Sequence, residues 1–193
     1  MKSGDLSRSR VASAPSSRKE TLAESLLIIT GTMGSGKSAV LAEASDILGR
    51  QCVVHAGIDV DALGLAHLPS SAASDGVMYE NVRSICRNYF ALGVQRFLLA
   101  RAIEEAAQLE LCREIVPAKD TLVCRLTASI ETMERRVAMR EPGISQRECV
   151  ARVAVLDAIL DRARLEDFMI VNENRSLTEV AREMLIKARW IAN

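Results

Sequence analysis

The sequence predicts an α/β domain in which a five-stranded parallel sheet is covered by helices on both faces. Short apolar runs alternate with longer segments of helical periodicity along most of the chain. This alternation is typical of parallel sheets buried between two helical layers. A second observation supports it: residues 31–38 read Gly-Thr-Met-Gly-Ser-Gly-Lys-Ser and join the first apolar run to the first helical segment. That is the setting of the phosphate-binding pattern G-x-x-x-x-G-K-[ST].

The predicted strands are apolar runs bounded by turn residues, and the predicted helices have start and stop signals. Gly49 and Gly93 follow the first two helices as stops, Ser129 is a candidate N-cap, and Ser176 forms a capping box with Glu179. The predicted strands cover residues 26–30, 51–56, 94–100, 121–126 and 168–171. The predicted helices cover residues 39–48, 77–92, 101–115, 129–139, 146–165 and 176–191, with a loop at 63–75 and a turn at 141–143.

The loop at residues 31–38 predicts nucleotide binding. Its glycines allow backbone N–H groups to surround phosphates, and the following helix adds the positive end of its dipole. Lys37 is expected to reach the β- and γ-phosphates, and the Ser38 hydroxyl to bind Mg²⁺. A chance Gly/Ser-rich turn is the alternative, and the flanking strand and helix argue against it. The predicted nucleotide-binding residues here are Gly31, Thr32, Met33, Gly34, Ser35, Gly36, Lys37, Ser38 and Ala39.

Composition argues against several function classes. The 193 residues carry 25 basic and 25 acidic side chains, a balance unlike that of a nucleic-acid-binding protein, and aromatic residues make up only 3%. No apolar stretch is long enough for a transmembrane helix. The five cysteines are widely spaced and there are only two histidines, which predicts reduced thiols in a cytoplasmic protein rather than disulfides or a zinc site.

The first 25 residues differ from the rest of the chain. They are rich in Ser, Arg and Ala, include Pro15, and lack sustained periodicity, so residues 1–25 are predicted to be a disordered extension. A transit peptide is the alternative, against which the acidic residues Asp5 and Glu20 count. Residues 26–193 are then predicted to form one domain. The sequence makes no prediction of an oligomeric state.

Two carboxylates follow the second predicted strand. Right-handed crossovers place the phosphate-binding loop at the carboxyl edge of the sheet, so Asp59 and Asp61 are expected beside it. On an extended segment the two side chains would point the same way. An Asp at this place is a candidate Mg²⁺ ligand and a candidate acceptor for the proton of an attacking hydroxyl. Capping of the next turn is the alternative role.

Three arginines are candidate site residues. Arg136 and Arg140 share one face of a helix just before the turn at residues 141–143, where cations can stabilise transition-state charge when the turn closes. A solvated helix end is the alternative. Arg101 follows the third predicted strand, a place where motor ATPases often have a carboxylate. It is either a ligand for an anionic or polar acceptor or a surface residue at a helix start.

Three asparagines are weaker candidates. Asn81 opens the helix after the predicted loop and is a candidate for lining the acceptor pocket. Asn172 and Asn174 follow the fifth strand, where a loop can approach the nucleotide base. Asparagine also suits tight turns, which is the alternative explanation for both of the latter residues.

In combination these features resemble the small P-loop kinases, the superfamily of nucleoside monophosphate, shikimate, gluconate and adenylylsulfate kinases and chloramphenicol phosphotransferase. The resemblance covers residues 26 onwards. It rests on loop 31–38, the Asp59-x-Asp61 pair, the Arg136-x-x-x-Arg140 pair before a short lid near 140–146, and residues 171–176. It implies a sheet of order 2-3-1-4-5 and MgATP as donor. It also implies Arg136 against the adenine, Arg140 on phosphates, Asp61 as base and Asp59 near the metal.

The sequence therefore predicts an ATP-dependent small-molecule kinase with Lys37, Asp61 and Arg140 as catalytic residues. The acceptor is not predicted, because residues 59–63 lack the longer acidic signature of adenylylsulfate kinases and residues 100–103 lack the Gly-rich loop of shikimate kinases. A nucleotide-binding regulatory or partner-binding module without turnover is the alternative. A kinase for nucleic-acid ends is a third hypothesis, against which the balanced charge counts.

Overall fold

The computed structural model describes residues 22–64, 71–141 and 143–192. Most of the predicted N-terminal extension (1–21), part of the predicted loop (65–70, with Pro69) and Pro142 of the predicted lid lie outside these ranges. The described strands are β1 Ala23–Thr30, β2 Ala56–Asp59, β3 Arg96–Ala100, β4 Ala118–Thr127 and β5 Phe168–Val171. The described helices are α1 Lys37–Arg50, α2 Ser71–Ala91, α3 Ala106–Ile115, α4 Ile130–Arg140, α5 Gln146–Ala163 and α6 Leu177–Lys187.

The strands form one parallel sheet of order β2-β3-β1-β4-β5. This confirms the predicted fold class and the strand order that the family resemblance implies. β1 lies at the centre, where Ile28 pairs with Leu99 of β3 and with Val123 of β4. Because all the strands run the same way, the loop after β1 shares one edge of the sheet with the segments that follow β2 and β3.

The apolar run of β1 is continuous because both faces of the sheet are covered. Leu26 and Ile28 pack into the layer that contains α2 and α3, whereas Leu27 and Ile29 pack into the layer that contains α1 and α6. All four side chains are buried. Burying one such side chain contributes about 1.5–3 kcal/mol, so the central strand anchors both helical layers.

The predicted second strand and the predicted stop of the first helix are wrong. β2 is Ala56–Asp59, and α1 continues to Arg50, so Gly49 lies inside the helix. Cys52 takes the left-handed position with φ 55° and donates its N–H to the carbonyl of Gly49 at 3.0 Å. The N–H of Val53 donates to the carbonyl of Leu48 at 3.0 Å. This pair of hydrogen bonds is a Schellman motif, and it uses up residues that the apolar pattern assigned to a strand.

Other boundaries differ by a few residues. β1 begins at Ala23, so residues 23–25 of the predicted extension belong to the sheet, and α2 begins at Ser71 within the predicted loop. Residues 101–105, predicted to be helical, precede α3, and within them the N–H of Ile103 donates to Thr30 Oγ1 at 2.9 Å. α6 ends at Lys187. These differences arise from tertiary hydrogen bonds and packing that local periodicity does not encode.

None of the helices in the described ranges combines the length and the apolar character that crossing a membrane requires. Three of the cysteines, Cys86, Cys112 and Cys124, are buried. Burial raises the pKa of Cys86 and of Cys124 to about 12 and that of Cys112 to about 11. Their thiols therefore stay protonated at neutral pH and behave as small apolar core groups.

Candidate active site

The loop at residues 31–38 turns sharply between β1 and α1, and its glycines are required for that shape. Gly34 and Gly36 have φ of 79° and 96°, which side-chain-bearing residues rarely adopt. A Cβ at Gly34 would lie 2.3 Å from the carbonyl oxygen of Met133, and a Cβ at Gly36 would lie 2.3 Å from Nδ2 of Asn172. The backbone of the loop therefore packs directly against α4 and against the segment after β5.

The start of α1 fits a phosphate group. The helix begins at Lys37 behind Gly36, which has no side chain to cap it, and the first N–H of the helix with a backbone acceptor is that of Val40. Within the described residues, the N–H groups of Lys37, Ser38 and Ala39 have no backbone acceptor and are available to an anion. The helix dipole favours negative charge at the same place. The loop thus suits a polyphosphate by its backbone alone.

Lys37 lies against the carbonyl oxygens of its own loop. Its Nζ donates to Gly31 at 3.0 Å and to Thr32 at 3.3 Å. Burial lowers the pKa of Lys37, the carboxylates of Asp61 and Asp59 act in the opposite direction, and two arginines of the site, Arg140 and Arg101, lower it further. The ammonium group therefore lies within the electrostatic reach of four of the charged residues that the sequence predicted for the site: Asp59, Asp61, Arg101 and Arg140.

Two side chains from outside the loop, those of Asn172 and Arg136, donate hydrogen bonds to its backbone. Nδ2 of Asn172, a residue only 6% exposed, donates to the carbonyl of Ser35 at 2.8 Å. Arg136 donates to the carbonyl of Gly34 at 3.3 Å and to that of Asn172 at 2.9 Å. Both residues were predicted near the nucleotide base. In the structure, Asn172 contacts the backbone of the loop, and Arg136 joins the loop to the segment after β5. Arg136 also lines the cavity described next.

A cavity of about 790 Å³ opens beside the loop. It brings together elements that are distant in sequence: the phosphate-binding loop, the ends of β2 and β3, the end of α4 and part of α5. The predicted site residues that line it are Met33, Gly34, Gly36, Lys37, Ser38, Ala39, Asp59, Asp61, Arg101, Arg136 and Arg140. Gly31, Thr32 and Ser35 are buried and are not among the residues that line it.

Two predicted asparagines lie away from the cavity lining. Asn81 donates from Nδ2 to the carbonyl of Leu63 at 3.0 Å and so ties α2 to the 3₁₀ turn Asp61–Leu63. Asn174 has φ 55°, the left-handed conformation that suits asparagine in a tight turn. Neither residue is among those that line the cavity.

Asp59 and Asp61 both line the cavity, but the segment between them is not extended as predicted. Asp59 ends β2, Val60 has helical dihedral angles (φ −67°, ψ −37°), and Asp61 begins the 3₁₀ turn. The N–H of Val60 donates to the carbonyl of Ala100 at 3.0 Å, which fixes this bend against β3. Both residues therefore reach the cavity across a bend that is fixed by a contact with β3, and not through strand alternation.

Arg101 is paired with Asp61. Nη1 of Arg101 lies 2.8 Å from Oδ1 of Asp61, and Nη2 lies 3.8 Å from Oδ1 of Asp75. Burial disfavours the charge of Arg101, but Tyr79 and Asp61 outweigh that effect, so the pKa of the guanidinium is raised. Arg101 therefore carries a permanent positive charge next to the candidate base.

Sequence reasoning missed Glu104, Glu141 and Arg152, which also line the cavity. Nη2 of Arg152, on α5, lies 3.1 and 3.0 Å from the two carboxylate oxygens of Glu104. Nε of Arg140 lies 2.8 Å from Oε1 of Glu141, at the start of the predicted lid. An acidic residue soon after the third strand was a signal that could have identified Glu104. Arg152 has no local signal, because its place depends on how α5 packs.

Polar anchors outside the cavity hold α4 and α5 in place, and these too were missed. Arg125 of β4, only 2% exposed, donates from Nη2 to Asp157 Oδ1 at 2.9 Å and pairs through Nη1 with Asp161 at 2.8 Å, both on α5. At the start of α4, the carboxylate of Glu173 accepts hydrogen bonds from Ser129, and these side chains join the helix to the segment after β5.

The sequence matches no protein-family model, and it matches none of the curated proteins. Among the solved structures that are similar to the chain are those of three kinases. The Mycobacterium tuberculosis APS kinase in complex with AMPPNP and APS has 20% identity over 87% of this chain and 99% of its own, with a TM-score of 0.58.

A gluconokinase from Sinorhizobium meliloti 1021 has 17% identity over 88% of this chain and 94% of its own, with a TM-score of 0.58. The shikimate kinase from Acinetobacter baumannii in complex with shikimate has 15% identity over 87% of this chain and 94% of its own, with a TM-score of 0.57. The chain therefore has the fold of the P-loop small-molecule kinases. At these identities the likeness shows the fold and does not extend to activity or acceptor.

Proposed function

We propose that this protein is an ATP-dependent small-molecule kinase that transfers the γ-phosphoryl group to a hydroxyl or phosphate of an acceptor. The observation that carries the proposal is the single cavity lined by Lys37, Asp59, Asp61 and Arg140 beside the uncapped start of α1. Phosphoryl transfer needs cations on the phosphates, a carboxylate at the attacking oxygen and little covalent chemistry from the protein. All of these side-chain types are present in one place.

The part of the cavity beside the phosphate-binding loop, called here the phosphate half, supports ATP as the substrate. The N–H groups at the start of α1 would bind the phosphates, and Lys37 and Arg140 would neutralise the charge that develops on the transferred group. The Ser38 hydroxyl and the Asp59 carboxylate line the cavity and are the oxygen donors that suit Mg²⁺. The bound ion would shield the charge of the β- and γ-phosphates.

For a hydroxyl acceptor, the acceptor oxygen bonds to the γ-phosphorus while the bond from that phosphorus to the β–γ bridging oxygen breaks. The electron pair of the broken bond stays on that oxygen, which leaves as part of ADP. The proton of the acceptor hydroxyl passes to the carboxylate of Asp61, the assigned base. A cavity of about 790 Å³ is within the range of roughly 300–1,000 Å³ that is usual for small-molecule sites, which supports a small acceptor.

The experiment that tests the proposal is transfer of label from γ-labelled ATP into a small-molecule metabolite extract. We expect a labelled product whose formation requires Lys37, because the Lys37→Ala variant loses the cation that holds the phosphates. The mass of that product would identify the acceptor. ATP binding without consumption in extracts from several sources would contradict the kinase and favour a nucleotide-binding regulatory module.

A further inference from the structure

Among the described residues, one hydrogen bond sets the orientation of the Asp61 side chain. Asp61 belongs to a 3₁₀ turn of three residues with no buried member, and its side chain is 48% exposed. Within the described residues, the hydrogen bond that its carboxylate accepts comes from Arg101, at 2.8 Å to Oδ1. A short carboxylate on an exposed turn has several rotamers available, so the direction of its second oxygen depends on this bond.

Arg101, in contrast, is held on several sides. Its side chain is only 14% exposed, and its backbone N–H donates to the carbonyl of Ile29 at 3.0 Å. Nη1 lies 3.2 Å from the sulfur of Met78, and Cζ lies 5.5 Å from the ring centroid of Tyr79. With the contact to Asp75 already described, the surroundings of the guanidinium come mainly from α2. Contacts with a sulfur, an aromatic ring and a carboxylate fix its plane.

We propose that Arg101 is a positioning residue, which transmits the fixed position of α2 to the carboxylate of Asp61 so that the second carboxylate oxygen is aligned for the acceptor. This inference rests on the proposed function and assigns Arg101 a different role from the direct acceptor ligand that the sequence suggested. The guanidinium already faces two carboxylates, Asp61 and Asp75, and is therefore not a free cation for an anionic acceptor. Correct placement of a reacting group within about 1 Å can account for a 10²-fold change in rate.

The test uses Arg101→Met, which keeps the length of the apolar stem and removes the charge, and Arg101→Lys, which keeps the charge and loses the planar fork. Arg96→Met is the matched control, because Arg96 begins β3, the strand that Arg101 follows, and pairs with Glu24 at 3.0 Å on the surface. We expect both variants at position 101 to fold, since the carboxylates that lose their partner, Asp61 and Asp75, are accessible to water. Thermal unfolding of each variant checks this point.

Labelled phosphate transfer is then measured over serial dilutions of the metabolite extract, and ATP affinity is measured separately by titration. We expect Arg101→Met to lower the saturating transfer rate by about 10–100-fold while the half-saturating dilution and the ATP affinity stay unchanged. Arg101→Lys should recover part of the rate, and Arg96→Met should match the wild type. In an Asp61→Asn background, Arg101→Met should cause no further loss, because the group that it positions is already inactive.

Two results would overturn the positioning role. One is an unchanged saturating rate with a shifted half-saturating dilution, which would make Arg101 a ligand of the acceptor itself. The other is an equal loss in the wild-type and Asp61→Asn backgrounds, which would show that the two residues act independently. Absence of Lys37-dependent transfer by the wild-type protein is a different result, because it would overturn the proposed function together with this inference.

Discussion

The two halves of the cavity differ in the groups that line them: backbone groups shape one half, and charged side chains shape the other. The phosphate half, defined as Gly34, Gly36, Lys37 and Ser38, is shaped by backbone groups at the start of α1. The proposed acceptor half, defined as Asp61, Arg101, Glu104 and Arg152, is shaped by charged side chains from the turns after β2 and β3 and from α5. This difference predicts that the shape of the phosphate half contributes to the stability of the fold, whereas the side chains of the acceptor half chiefly affect the transfer rate.

In the phosphate half, the shape of the loop is fixed by close backbone contacts. Gly34 leaves no room for a Cβ beside Met133, and Asn172 holds Ser35 through a buried hydrogen bond. In the acceptor half, the pairs Arg101–Asp61 and Arg152–Glu104 are at least partly exposed, and ion pairs of that kind contribute about 0–1 kcal/mol to stability. Substitutions in the first half should therefore destabilise the fold, and substitutions in the second should chiefly alter transfer.

The largest effect is expected for Gly34→Ala. The new Cβ would meet the Met133 carbonyl at 2.3 Å, and the residue would have to keep φ near 79°. Overpacking and the left-handed backbone together should destabilise the protein by about 2–5 kcal/mol and abolish nucleotide binding. Denaturant unfolding and ATP titration measure the two effects.

Gly93→Ala is the matched control for that prediction. Gly93 also has a positive φ, 82°, but a Cβ there would have no atom within 4 Å among the described residues. Only the backbone cost of about 1–2 kcal/mol should appear, with ATP affinity unchanged. Equal destabilisation by the two substitutions would show that the close contact with α4 has no importance.

The next effect is expected for Asn172→Ala, which removes the amide that donates to the Ser35 carbonyl. Leaving that carbonyl without its partner should destabilise the protein by about 1–3 kcal/mol and weaken ATP binding, since the loop loses one support. Asn174→Gly is the control, because glycine adopts φ near 55° without strain. An Asn172→Ala protein with wild-type stability and affinity would contradict the rigid-loop description.

The contribution of Glu173 to the stability of the protein is expected to depend on pH. Hydrogen bonds from the side chains of Ser129 and Thr132 and from the Ser129 N–H lower the pKa of this carboxyl from 4.5 to about 2. A lowered pKa contributes stability above the unfolded value of 4.5, and that contribution is lost as the pH falls towards 2. The stability difference between wild type and Glu173→Gln should therefore be present at pH 7 and disappear near pH 2.

Unfolding measured between pH 2 and pH 7 on both proteins tests this effect. A difference that stays constant across that range would mean that the lost hydrogen bonds, and not the charge of Glu173, explain it. The same variant should change ATP affinity less than Asn172→Ala does, because Glu173 holds α4 and does not contact the loop backbone directly in the hydrogen bonds described.

The smallest effect on stability is expected for a substitution at Gly49, which does not line the cavity. Gly49 lies inside α1, and a Cβ there would meet no atom within 4 Å among the described residues. Gly49→Ala should stabilise the protein by about 1 kcal/mol through helix propensity, with no change in ATP affinity. Destabilisation would indicate a left-handed helix stop at Gly49, as the sequence pattern suggested, and thermal unfolding distinguishes the two results.

The sequence was informative where local chemistry decides the structure. The phosphate-binding loop, β5 and the capping box of Ser176 with Glu179 were all predictable, because a motif, an apolar run and a helix start are encoded within a few residues. The end of α1 was not predictable in the same way, because Cys52 takes the left-handed position that is usually occupied by glycine. The residues next to Cys52 contain no pattern that predicts its left-handed conformation.

The acceptor half was the least predictable part of the site. Asp61 and Arg101 were each identified, but their pairing depends on how the turns after β2 and β3 meet, and the partners of Arg101 on α2 are more than twenty residues away. The pair of Glu104 and Arg152 and the buried Arg125 likewise depend on the packing of α5 against the sheet. Side-chain pairs between elements that are distant along the chain produce no periodic pattern in the sequence, so they cannot be predicted from it.

The central claim, that one half of the cavity binds ATP and the other performs transfer, is tested most directly with Asp61→Asn and Lys37→Ala. ATP affinity and transfer of labelled γ-phosphate into the metabolite extract are measured on the same preparations. We predict that Asp61→Asn keeps its ATP affinity and loses transfer by about 10²–10⁴-fold, whereas Lys37→Ala loses both. Equal transfer rates in the wild type and in Asp61→Asn would contradict the account.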